Sequence, residues 1–170
     1  MAYMAFTVPQ VQAQELARLY RDGDVSSPSD MHVTVVFLGK GTPTGDVLKA
    51  VAAAYSVAHT TRPFSVHAAL MTSFPENPSY RDGFPVVVRV VSKELHDFQR
   101  RICAALDKFG VDYSRRFPDY KPHVTLSHGV VRVPPRKVSP ISWTCSHMMI
   151  WGGDEHYSKI FAGVELSGLP

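Results

Sequence analysis

His32-Val33-Thr34-Val35-Val36-Phe37-Leu38-Gly39 is the stretch on which the reading of this chain turns. A β-branched and aliphatic run closed by a glycine has the pattern of a strand. Alternate side chains on a strand leave opposite faces, so His32 and Thr34 emerge on one side and Val33 and Val35 on the other. The pattern returns at His123-Val124-Thr125-Leu126. With 8 histidines in 170 residues, a His-x-Thr triplet arises by accident less than once, so a single copy means little. A third triplet, His59-Thr60-Thr61, closes a helical pattern just before Arg62-Pro63 and opens no strand. It reads as a helix end with the imidazole near the last carbonyls. The other two share a central valine, an aliphatic fourth residue and a strand context.

Two such pairs facing each other would place two imidazoles and two hydroxyls around one small anion. A neutral imidazole takes a proton and a protonated one gives it back, and histidine titrates near pH 6.5, where both forms are available. The hydroxyls of Thr34 and Thr125 would donate to nonbridging oxygens as charge builds on them. That combination suits the cleavage of a phosphodiester. No HxxxH or Cys/His cluster occurs and carboxylates do not surround the motifs, so neither a metal nor another cofactor is expected. Which histidine is base and which is acid stays open.

Composition sets the frame. A chain of 170 residues, 45% hydrophobic and 19% charged, suits one globular domain or two small lobes sharing a core. A net charge of +3 suits a small anionic ligand and is too weak for a long duplex. Cys103 and Cys145 form no CxxC framework, which points to free thiols in a reducing compartment. Met1 to Gln14 lacks the basic and apolar regions of a signal peptide, and no stretch is long and apolar enough to span a membrane. A cytoplasmic monomer without an obligate protein partner is expected.

Along the chain, Tyr3–Val8 reads as a strand and Gln10–Tyr20 as a helix. Asp22–Asp30 reads as a loop, Met31–Leu38 as the first motif strand, and Thr44 as the cap of a helix through about His59. Phe64–Leu70 and Pro85–Val91 read as strands separated by a long loop, Thr72–Phe84. Ser92 caps a helix over Lys93–Phe109 that stops at Gly110. Tyr113–Pro122 and Arg132–Pro140 read as basic connections on either side of the second motif strand. Ile141–Trp151 and Tyr157–Leu166 read as two further strands joined at Gly152-Gly153-Asp154-Glu155. Mixed strands with segregated helices predict an α+β fold. One motif in each half suggests a loose internal duplication.

The two motifs, roughly ninety residues apart, resemble those of the two-histidine (2H) phosphoesterase superfamily. This superfamily includes LigT-type RNA 2′,3′-cyclic phosphodiesterases, plant cyclic phosphodiesterases, and phage nucleases of the anti-CBASS type that degrade cyclic-oligonucleotide alarms. His32 through Gly39 is similar to its first motif. Tyr120-Lys121-Pro122-His123-Val124-Thr125-Leu126, with a proline before the histidine, is similar to its second. Phe64-Ser65-Val66 stands where the family places a strand. The resemblance implies one two-lobed domain over residues 1–170, with antiparallel sheets, helices outside and a central groove carrying one motif on each wall. It further implies His32, Thr34, His123 and Thr125 as the catalytic set.

Weaker candidates surround these four. Tyr157 resembles an aromatic that the family places near the groove, with a packed strand position as the equal alternative. Trp151 would stack on a base, although a hairpin core is the more common place for such a Trp. Lys121, Arg115 and Arg116 would hold flanking phosphates, although a solvated basic loop is the more common outcome. For Tyr3 and Phe6, core packing is the more common fate. The leading reading is a metal-independent phosphodiesterase for a small cyclic or short oligonucleotide, with a 2′,3′-cyclic phosphate or a 2′,5′ or 3′,5′ linkage. Destruction of a cyclic di- or trinucleotide messenger is the alternative. A non-catalytic nucleotide-binding module is the alternative of another class.

Overall fold

The computed structural model of the chain describes residues 1–75, 83–115, 119–152 and 159–168. The predicted elements form nearly where the periodicity places them: strand β1 (Ala2–Thr7), helix α1 (Gln10–Ala17), strand β2 (Asp24–Val25) and β3 (His32–Gly39), which is the first motif strand. Helix α2 (Thr44–Ala58), strands β4 (Phe64–Ser73) and β5 (Phe84–Val91) and helix α3 (Lys93–Lys108) follow. The second motif strand is β6 (His123–Gly129), succeeded by β7 (Arg136–Cys145), β8 (His147–Gly152) and β9 (Lys159–Glu165).

The helices carry their core faces at helical spacing: Val47, Ala50, Ala54 and Val57 on α2, and Leu95, Phe98, Ile102 and Leu106 on α3. Ser92 caps α3 as expected, its Oγ accepting from the Leu95 N–H at 3.2 Å. Gly110 takes the left-handed conformation that ends the helix, with φ of +66°. Thr44 does not cap α2. Pro43 holds that position, and its carbonyl accepts from the Asp46 and Val47 N–H groups at 2.9 and 3.0 Å, which leaves Thr44 as the first helical residue.

The strands form two antiparallel sheets, in the orders β3-β1-β8-β9 and β2-β6-β5-β4-β7, so the α+β fold with two antiparallel sheets holds. Helix α2 packs on β8, β9 and α3, and α3 packs on β3 and β4 and so touches both sheets. Phe6 of β1, Phe64 of β4 and Phe98 of α3 meet at centroid distances of 5.3 to 6.0 Å, tying the two sheets to one helix. The motif strands carry their valines and leucines, Val33, Val35, Val124 and Leu126, into this core. Their histidines and threonines are thereby sent to the opposite faces.

Three local expectations change. The Asp22–Asp30 loop contains β2, which pairs Asp24 with His128 and Val25 with Ser127, and a short 3-10 turn at Pro28–Asp30. Arg132–Pro140 is not all connection, because β7 starts at Arg136. Ile141–Trp151 is the end of β7 in one sheet and nearly all of β8 in the other, switching at Ser146. The sheets also do not follow the sequence halves, since β8 and β9 return to pair with β1.

Candidate active site

The two motif strands belong to different sheets, and β3 and β6 meet where those sheets approach each other. His32, Thr34, His123 and Thr125 line one cavity of about 60 Å³ with Ser26 and Asp30. That is room for a few waters or one small anion. All four motif side chains are half-buried. Among the described residues, neither threonine hydroxyl has a hydrogen-bond partner, so both are free to donate into the cavity.

Each imidazole is held the same way. His32 Nδ1 lies 2.6 Å from the Asp30 carbonyl, and His123 Nδ1 lies 2.7 Å from the Lys121 carbonyl. In both motifs the acceptor is the backbone two residues earlier. A carbonyl only accepts, so Nδ1 carries the proton in each ring. The neutral ring therefore has an unprotonated Nε2, and both rings line the cavity. The likeness of the two motifs thus extends to the backbone bond that orients each ring.

Burial lowers the pKa of both histidines below the ordinary imidazole value. The remaining influences differ between them. For His32, the bond to the Asp30 carbonyl and the Asp30 carboxylate both push back upward. For His123, only the Lys121 carbonyl pushes upward, while the charges of Arg89 and His32 push further down. When the pair holds one proton, these charges favour placing it on His32.

Two aromatic walls flank the cavity. Tyr3 stacks on Trp151 at 4.8 Å and 9°, and on His32 at 5.2 Å and 27°. Phe74 meets the edge of His123 at 4.7 Å. Of the expected core pair, Phe6 is buried as expected, but Tyr3 stands in the wall beside His32. Lys121 contributes its carbonyl to His123, and its side chain is exposed. Arg115 does not line the cavity; it pairs with Asp107 at 2.5 Å and lies over the Tyr113 ring at 4.7 Å. Tyr157 and Arg116 fall outside the described residues.

Several neighbours were not among the site residues expected from the sequence. Asp30 places a carboxylate residue in the cavity wall, a single one where carboxylates were not expected to surround the motifs. Tyr120 donates its hydroxyl to the Thr34 carbonyl at 3.0 Å, a direct tie between the segment entering β6 and the middle of β3. Burial holds its phenol far above the usual range, so it stays a donor. Arg89 sits opposite His123 in the β5–β6 register.

A family model described as the 2′-5′ RNA ligase superfamily matches residues 7–156. The chain belongs to this superfamily, the two-histidine phosphoesterases. Solved structures share the superfamily fold at low identity. TT0787 of Thermus thermophilus superposes with a TM-score of 0.76 at 19% identity, over 98% of both chains. A phosphoesterase superposes with a TM-score of 0.70 at 15% identity, over 98% of this chain and 97% of that one. E. coli LigT complexed with 3′-AMP superposes at 0.67 and 14%, again over 98% and 97%. No curated protein sequence matches the chain. Among the described residues, no helix is long and apolar enough to cross a membrane.

Proposed function

We propose that this superfamily member is a metal-independent phosphodiesterase that opens a 2′,3′-cyclic phosphate or cleaves a 2′,5′ or 3′,5′ linkage in a small cyclic or short oligonucleotide. The observation that carries the reading is the shared cavity, which both histidines and both threonines line, each ring with its Nδ1 held by a backbone carbonyl and its Nε2 left for substrate. His123, where the charges of Arg89 and His32 add to the downward push of burial, acts as the base: its Nε2 takes a proton from the attacking water. The water oxygen bonds to phosphorus as the bond to the leaving oxygen breaks. His32, favoured as the protonated ring, gives its proton to that oxygen, yielding a phosphomonoester. Thr34 and Thr125 donate to the nonbridging oxygens, where preorganised donors are most effective. The Tyr3–Trp151 wall beside His32 offers a flat apolar surface for a base.

Hydrolysis in EDTA of a panel tests this: 2′,3′-cyclic nucleotides, 2′,5′- and 3′,5′-linked dinucleotides, and cyclic di- and trinucleotides. Turnover of at least one class is expected, surviving the chelator. Turnover of the cyclic di- or trinucleotides alone would single out messenger destruction. Binding without turnover of any member would make the chain a nucleotide-binding module.

A further inference from the structure

Among the described residues, Arg89 is a half-buried cation with nothing to hold. Its Nε is buried without a hydrogen-bond partner, and among the described residues its guanidinium makes no ion pair. A guanidinium presents five donors in a planar fork, and leaving a buried donor unmet is costly, so such a group is normally matched to an anion. Nothing in the packing of β5 requires the charge. Val86, Val88 and Val90 face the helix-side core, and Arg89 lies on the other face, where Val87 precedes it.

The register fixes where the guanidinium starts. Arg89 is directly opposite His123, and such pairs share a face with Cβ atoms about 4.5–5.5 Å apart. Leu70 is opposite Arg89 on β4, and Lys137 is opposite Leu70 on β7, so the row His123, Arg89, Leu70, Lys137 crosses one face of the sheet. Arg89 does not line the cavity that fits the reacting phosphate, whose donors are already supplied by the two motifs. Among the described residues lining that cavity, the one carboxylate, Asp30, stands on the His32 side. The two flanks of the site therefore differ: the Tyr3–Trp151 stack lies beside His32, whereas His123 has the edge of Phe74 and, across the strand register, a positive charge unmatched among the described residues.

We propose that Arg89 binds a second phosphate, within one nucleotide of the scissile one, and so selects substrates with at least two phosphates over nucleoside cyclic monophosphates. This rests on the phosphodiesterase reading and names its substrate class. The fork of Arg89 pairs with two phosphate oxygens, and Lys137 continues the positive track for a longer chain.

Two measurements test it together. The first compares kcat/KM for a nucleoside 2′,3′-cyclic phosphate with that for its 5′-phosphorylated and dinucleotide counterparts, in wild type, Arg89→Met and Arg89→Lys. Wild type should prefer a two-phosphate substrate, and Arg89→Met should cut that preference by about ten- to hundredfold, the scale of a charged hydrogen bond. Arg89→Lys, which keeps the charge, should retain part of it. The second is calorimetric binding of adenosine 3′,5′-bisphosphate against adenosine 3′-monophosphate to the same proteins, with folding checked by thermal melting. Equal loss on both kinds of ligand in Arg89→Met, or no preference in wild type, overturns the proposal. Cleavage without preference sinks the second-phosphate site and leaves the hydrolase. An Arg89-dependent binding preference without cleavage of any panel member does the reverse. Failure of wild type to bind either adenosine phosphate overturns both.

Discussion

Replacing His32 or His123 with alanine lowers kcat by about 10²–10⁴-fold each, the usual contribution of one general acid or base. The fold should survive, because each ring is half-buried in a cavity wall and makes one backbone hydrogen bond rather than filling the core. The double variant should be little worse than the weaker single one, since the two groups act in one step. Single-turnover kinetics on the cleaved member of the panel measures this. The roles also separate by leaving group. A nitrophenyl phosphodiester leaves without help from an acid, so it should largely restore turnover to His32→Ala and not to His123→Ala. Restoration of the other variant would reverse the acid and base.

Phe98→Ala carries the largest expected cost in stability, about 3–5 kcal/mol as for other buried phenylalanines. Phe98 is 1% exposed and touches Phe6 of β1 and Phe64 of β4, so its ring is shared by α3 and both sheets. Truncation leaves a cavity where the two sheets are joined. The melting temperature should fall by about 6–20 °C for a chain of this size. The variant has a second consequence. The two imidazoles sit on different sheets, so loosening the joint should also weaken binding of any ligand that bridges them. A loss below about 1 kcal/mol in denaturant unfolding would mean that the neighbouring side chains collapse into the space.

The parts of this molecule that were legible in its sequence are those written in local spacing. Two positions apart on a strand places His32 with Thr34 and His123 with Thr125, and that alternation survives unchanged in β3 and β6. The face of α3 and its Ser92 cap were equally local. What escaped depends on partners far away in the chain. The apolar run through Cys145 and Met148 looks like one strand, because nothing local records that its ends pair with β4 and β1. Strand β2 has two residues and exists only because β6 offers an edge. The carbonyls of Asp30 and Lys121 orient the rings through backbone atoms, to which side-chain identity is silent. Tyr120 and Arg89 reach the site through a cross-sheet bond and a strand register.

The central claim is that both imidazoles present Nε2 to one phosphate. Long-range ¹H–¹⁵N spectra of the histidines test it directly. They would be recorded across about pH 5 to 8, where histidine titrates, with and without adenosine 3′-monophosphate. Free protein should show both rings as the Nδ1–H tautomer. Both should titrate below the ordinary value of about 6.5. Each ring is thus neutral above its lowered pKa and gains its proton only as pH falls through it. The ligand's negative charge should raise both values together. An Nε2–H tautomer at either ring, or a ligand that moves one ring and leaves the other untouched, would contradict the account.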